Sequence, residues 1–77
     1  MKFTIKTMTG DSEEIEANPQ DTILSVKNKL AQKKGFHPDS QIFLHYGNRL
    51  KNGLTLEQSK VKNGEIVNMM LRVTGGI

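Results

Sequence analysis

Apolar and polar residues alternate near the start of the chain, take helical spacing once in the middle and give way to a largely apolar segment near the end. Residues 1–7 place Met1, Phe3 and Ile5 on one side and Lys2, Thr4 and Lys6 on the other, which predicts a strand. Residues 13–17 alternate again, with Ile15 and Ala17 inward. Between them, Met8-Thr9-Gly10-Asp11 supplies a turn in which Gly10 is free to take positive φ, so the two strands read as a hairpin. Pro19 ends it, because proline lacks the N–H a ladder needs. Thr22 is an N-cap residue for a helix over 23–34, where Ile23, Val26 and Leu30 form one apolar stripe. Lys33 and Lys34 suit the negative end of the helix dipole, Gly35 suits a left-handed cap, Phe36 can fold back on the last turn, and Pro38 blocks continuation.

Residues 41–46 read as a third strand, Gly47-Asn48 as a turn, and 48–51 as a short fourth strand. Thr55 and Gln58 have capping-box spacing, which predicts one helical turn. Asn63-Gly64 is a turn dipeptide, and 65–73 is the last strand. The order β-β-α-β-β-(short helix)-β predicts an α+β fold, a sheet with one main helix across it.

Alternation also sorts the faces. In the last strand Val67, Met69 and Leu71 share the inward side, and Ile66, Asn68, Met70 and Arg72 the other. With Phe43 inward, Ile42 and Leu44 point out. A sheet covered by a helix on one side is expected to be polar on the other. Here the free face carries Ile42, Leu44 and Met70, and Met8 at the hairpin tip can join them. A contiguous apolar patch on so small a domain marks a protein-binding surface, and methionine suits one because it repacks against different partners.

Composition narrows the chemistry. The 77 residues contain no cysteine, which excludes a disulfide framework, a thiol nucleophile and a cysteine zinc site. His37 reads as a loop residue and His45 as a packed imidazole on the Phe43 side of its strand. No nucleophile elbow frames the Ser, His and Asp residues, and Gly47, Gly53 and Gly64 are scattered among turns and form no phosphate loop. Neither enzyme activity nor a metal or cofactor is expected. A formal charge of +3, one tyrosine, no tryptophan and no arginine run give no nucleic-acid signature. The longest apolar runs are three residues, against roughly 20 for a membrane span. The N-terminus lacks the apolar core of a secretion signal. The expected setting is the cytoplasm and nucleus, away from membranes.

Longer-range order carries a resemblance. Met1 with Lys6-Thr7-Met8-Thr9-Gly10, then Pro19, Asp21-Thr22-Ile23, Val26-Lys27, Lys33, Gly35, Pro38-Asp39, Gln41, Gly47, Leu50, Gly53 with Thr55-Leu56, and Leu71-Arg72 with Gly75-Gly76 resemble the ubiquitin family without a gap from Met1 to Gly76. The resemblance implies a β-grasp sheet of four to five strands over residues 1–72 and a flexible tail over 73–77. It implies a monomeric protein modifier. The Gly76 carboxylate would be adenylated at the expense of ATP, passed as a thioester to cysteines of activating and conjugating enzymes, and joined with the help of a ligating enzyme to a lysine amine of a target protein. Leu71, Arg72 and Gly75 would be read with the tail. Ile77 leaves Gly76 without a free carboxylate, so the resemblance implies a protease that trims after Gly76.

The same comparison marks departures. Met8, Leu44 and Met70 keep the family's apolar patch, read by ubiquitin-binding receptors. Asn68 stands in that patch where ubiquitin has histidine, and Ile42 and Thr74 stand where it has arginine. Arg72 is kept, which favours the ubiquitin activation route over that of the cullin-modifying relative. Lys6, Lys27, Lys29 and Lys33 match chain-acceptor positions, although Lys27 adjoins the apolar stripe of the helix. Asp11, Asn48 and Asn63 replace other acceptor lysines. An alternative reading is a non-covalent docking module that binds proteasome or ubiquitin-receptor partners through Met8, Leu44 and Met70.

Overall fold

The computed structural model describes residues 1–72. Expectations for Thr74, Gly75, Gly76 and Ile77 lie outside the described residues. The elements are β1 (Lys2–Thr7), β2 (Ser12–Glu16), α1 (Ile23–Lys34), a 3-10 turn (Pro38–Ser40), β3 (Gln41–His45), β4 (Asn48–Arg49) and β5 (Ile66–Leu71). The sheet order is β2-β1-β5-β3-β4, with β1 and β5 parallel and the other pairs antiparallel. This is a β-grasp: a mixed five-stranded sheet crossed by one main helix.

Local chemistry accounts for the helix. The Thr22 hydroxyl accepts from the Ser25 N–H at 3.2 Å, and Gly35 takes φ 79° while its N–H donates to the Ala31 carbonyl at 2.9 Å. Ile23, Val26 and Leu30 are buried against Phe3, Ile5, Phe43, Val67 and Met69 of the sheet. Phe36 packs on the same core, half-buried. The capping box closes as its spacing requires: Thr55 N–H donates to Gln58 Oε1 at 2.9 Å, and Gln58 N–H donates to the Thr55 hydroxyl at 3.0 Å. Only a single turn follows, because Lys60 enters the left-handed region at φ 63°.

Several expected boundaries move. The β3–β4 turn is Tyr46-Gly47, not Gly47-Asn48: both residues have positive φ, 51° and 80°, and His45 pairs directly with Asn48. That is the two-residue geometry whose twist matches the flanking strands. Tyrosine is uncommon there, and it is held by its hydroxyl, which donates to Glu65 Oε2 at 3.0 Å, and by its ring against His45 at 4.6 Å between centroids. Glu65 lies outside β5. Its Oε1 accepts from the Lys62 N–H at 2.8 Å and sits 2.8 Å from His45 Nε2, so one carboxylate ties the hairpin to the entry of β5. Leu71 does not join the core. Alternation gives it the face of Met69, but β5 ends there, and Leu71 is 49% exposed beside half-buried Phe36.

Ala at position 35 would have open space around its Cβ but the wrong φ, so Gly35→Ala is expected to cost about 1 kcal/mol in urea denaturation. The Lys62 N–H, and after it His45, hold the Glu65 carboxyl below its usual value of 4.5. A carboxyl lowered on folding stabilises in full above its unfolded value and loses that contribution as pH falls through its folded one. Denaturation midpoints followed from about pH 6 to about pH 2 should therefore drop on the acid side. Glu65→Gln should start lower at neutral pH and drop less.

Candidate functional site

The outward face of the sheet is set by register. Ile42 lies directly opposite Met70, and Leu44 directly opposite Asn68. Asn68 in turn pairs with Lys6 across the parallel β1–β5 contact, and Leu44 with Arg49 across β3–β4. Residues directly opposite share a face, so Lys6, Asn68, Leu44 and Arg49 form one row over four strands, with Ile42 and Met70 beside it. Ile42 and Leu44 are half-buried by their neighbours, and Met70 is 37% exposed. Ile66, further along β5 on the same face, is exposed as well.

Met8 is 73% exposed in the β1–β2 turn. It joins the face at Met70's end: Met8, Met70, Leu71 and Phe36 line one hollow of about 360 Å³. Ile42, Leu44 and Met70, turned outward by alternation, therefore share one face with Asn68, and Met8 meets Met70 at the hollow that Leu71 also lines. Arg72 follows at the strand end, exposed, its N–H donating to the Ser40 carbonyl at 2.8 Å. That bond ties Arg72 to the last residue of the 3-10 turn.

The four lysines differ in surroundings. Lys6 is exposed on β1. Lys29 donates to the Glu16 carbonyl at 3.1 Å and lies 3.8 Å from Asp21. Lys33 reaches Glu13 at 2.8 Å, and this contact, ahead of the field of Lys34, holds the Glu13 carboxyl below its ordinary value. Lys27 is buried at 6% exposure, its ammonium donating to Asn52 Oδ1 at 2.7 Å above the ring of Phe43 at 5.4 Å. Burial lowers its pKa, Arg49 and Arg72 lower it further, and Asp39 opposes them.

Sequence patterns gave no sign of one arrangement. Lys27, Arg49 and Arg72 come from α1, β4 and the end of β5 and converge on a groove of about 610 Å³ beside Pro38–Ser40. These positions have no common period, so only the folded topology brings them together. His45, expected as a packed imidazole, is buried and held at Glu65, and His37 caps the 3-10 turn by accepting from the Asp39 N–H at 3.2 Å. Among the described residues no three His, Asp or Glu side chains gather as a metal site, and no helix is long and apolar enough to cross a membrane.

Comparison with known proteins gives this surface a family. The sequence profile of the ubiquitin family matches residues 3–74. Ubiquitin-like protein 1 of Schizosaccharomyces pombe is 25% identical over 76 residues, covering 99% of this chain and 97% of its own. The ubiquitin-like protein NEDD8 of Dictyostelium discoideum is 26% identical over 77 residues, with both chains covered in full. The NEDD8-like protein RUB3 of Arabidopsis thaliana is 29% identical over 76 residues, covering 99% of this chain and 97% of its own. A profile match over nearly the whole sequence, on a β-grasp sheet, establishes that the chain belongs to the ubiquitin family, as a ubiquitin-like modifier whose partners are those of a ubiquitin-like pathway.

Proposed function

We propose that this modifier is attached through the carboxylate of Gly76 to lysine amines of target proteins, after a protease has removed Ile77. Residues 1–72 form the recognised domain and 73–77 the reactive tail. The observation that supports the reading most directly is the family match over residues 3–74 on a sheet whose open face carries the Ile42, Leu44 and Met70 apolar patch. The chemistry is acyl transfer. ATP converts the carboxylate to an acyl-adenylate with loss of pyrophosphate. An enzyme cysteine then displaces AMP to give a thioester, and a lysine amine displaces the thiol to give an amide. Leu71, Arg72 and Gly75 present the tail to the activating enzyme, and the ligating enzyme selects the amine.

Receptor recognition falls to the face built by Met8, Ile42, Leu44, Asn68 and Met70. The amide of Asn68 there donates and accepts but does not ionise, so binding through it does not vary with pH near neutrality. Among the acceptors proposed for chains, Lys6 comes first and Lys27 last, since its amine is buried and already donating to Asn52. The proposed setting is the cytoplasm and nucleus. A second reading, a docking module that is never conjugated, uses the same face and is favoured by the direct pairing of Ile42 with Met70.

Chains ending at Gly76 and at Ile77, incubated with ATP and a panel of activating enzymes, separate the two. The trimmed chain is expected to give a thioester band on a non-reducing gel and the longer chain none; silence from both would leave the docking module. Leu44→Asp combined with Met70→Asp is expected to keep the circular dichroism spectrum of the fold. It should weaken binding to a ubiquitin-receptor domain by roughly tenfold or more, measured by calorimetry. Loss of the folded spectrum would show that these side chains support the core.

A further inference from the structure

We infer that the groove beside the Pro38–Ser40 turn, between Lys27 of α1 and the β3–β4 edge, is a docking site for an acidic peptide segment of a partner protein, a site that shares Arg72 with the tail recognition proposed above but takes no part in the acyl transfer. Lys27, Arg49 and Arg72 line it, and Asp39 is the one carboxylate among its described lining residues, so two positive charges are left over there. Among the described residues no carboxylate lies within 4.0 Å of any of the three cations. Buried ammonium groups are normally paired with an anion, yet among the described residues Lys27 has only the neutral amide oxygen of Asn52 and the face of Phe43. Carboxylates entering the groove would supply the missing charge. The two exposed guanidinium groups are suited to grip them in the two-pronged geometry that arginine favours.

The groove's size and remaining chemistry select a peptide. At about 610 Å³ and open to solvent, it is far larger than a single inorganic ion. Gln41 on its wall is 2% exposed and donates its amide to the carbonyls of Lys27 and Phe36 at 3.0 and 3.1 Å. Its Oε1 is left buried without a partner among the described residues. With almost no accessible surface, that acceptor is out of a ligand's reach, and what Gln41 supplies is a wall tied to α1 and to Phe36. Nucleic acid is disfavoured because the lining has no Phe, Tyr or Trp on which bases could stack, and three cations neutralise few phosphates. Arg49 also stands opposite Leu44, so a segment seated in the groove continues directly onto the apolar face.

The test uses the full 77-residue chain, isotope-labelled, titrated with a fluorescent peptide carrying a run of aspartate and glutamate. Amide shifts are expected at Lys27, Ser40, Gln41, Arg49, Asn52 and Arg72. Arg49→Glu and Arg49→Gln should each weaken binding, the former by roughly tenfold, while Arg49→Lys retains part of it. Lys2→Glu, the same change of charge on β1 far across the sheet, should change affinity by less than about twofold. Equal losses from Lys2→Glu and Arg49→Glu, or shifts spread over every lysine, would overturn the proposal. So would inorganic phosphate alone reproducing the shifts with no tighter binding of the peptide, or a single-stranded RNA oligonucleotide binding more tightly than the peptide.

Discussion

The parallel contact between β1 and β5 holds the two ends of the domain side by side, with Thr4 against Ile66 and Thr7 against Met69. Without it the sheet would separate into the β1–β2 hairpin and the β3–β4–β5 set, and an isolated hairpin is at best marginal in water. Parallel neighbours cannot be joined by a tight turn, so everything between them must cross over, and α1 is the body of that crossing. The contact is reinforced at its start. Gly64 N–H donates to the Lys2 carbonyl at 2.7 Å, Lys2 N–H donates to Asn63 Oδ1 at 2.8 Å, and Thr4 N–H donates to the Glu65 carbonyl at 2.9 Å. Asn63 thus has a structural task here: its side chain fixes where β1 enters the sheet.

From that contact the functional face follows. β5 is the middle strand, so its outward Asn68 has a neighbour on both sides. The register that buries Val67 and Met69 also sets Met70 against Ile42 and Asn68 between Lys6 and Leu44. A slip by one residue would exchange the core and the surface, and Val67, fully buried, forbids it. The recognition surface therefore needs no separate stabilising device. Its geometry is the reverse side of the core packing, and its composition is free to be apolar because the inward positions alone determine the fold.

Where the relevant physics is local, the sequence showed it. Thr22 and Gly35 close the ends of α1 by contacts within four residues, and Thr55 with Gln58 does the same for its single turn. Alternation placed Ile42, Leu44 and Met70 outward because a strand's period admits one assignment once Phe43 and Met69 are inward. The misplaced hairpin turn had a non-local cause. Glycine and asparagine are the residues expected in such a turn, and Tyr46 takes a left-handed φ there alongside a hydroxyl bond to Glu65, nineteen residues on. Leu71 failed for a related reason, since alternation gives the side of a strand but not where the layer beneath it ends.

Lys27 joins the two kinds of surface. It stands four residues after Ile23 and three before Leu30, so helical geometry places it within the apolar stripe. An aliphatic side chain would fill that position without bringing a charge out of water, and replacing buried charge by well-packed apolar groups is often neutral or stabilising. The ammonium is thus not required by the stripe, and its partner Asn52, exposed on a loop, is neutral. What the charge does is outside the core. With Arg49 and Arg72 it gathers three cations at the corner where β5 ends, in a chain whose formal surplus is only +3. The sheet register sets the apolar face, whereas the helix register sets the charged corner, and Arg49 is the residue that stands in both.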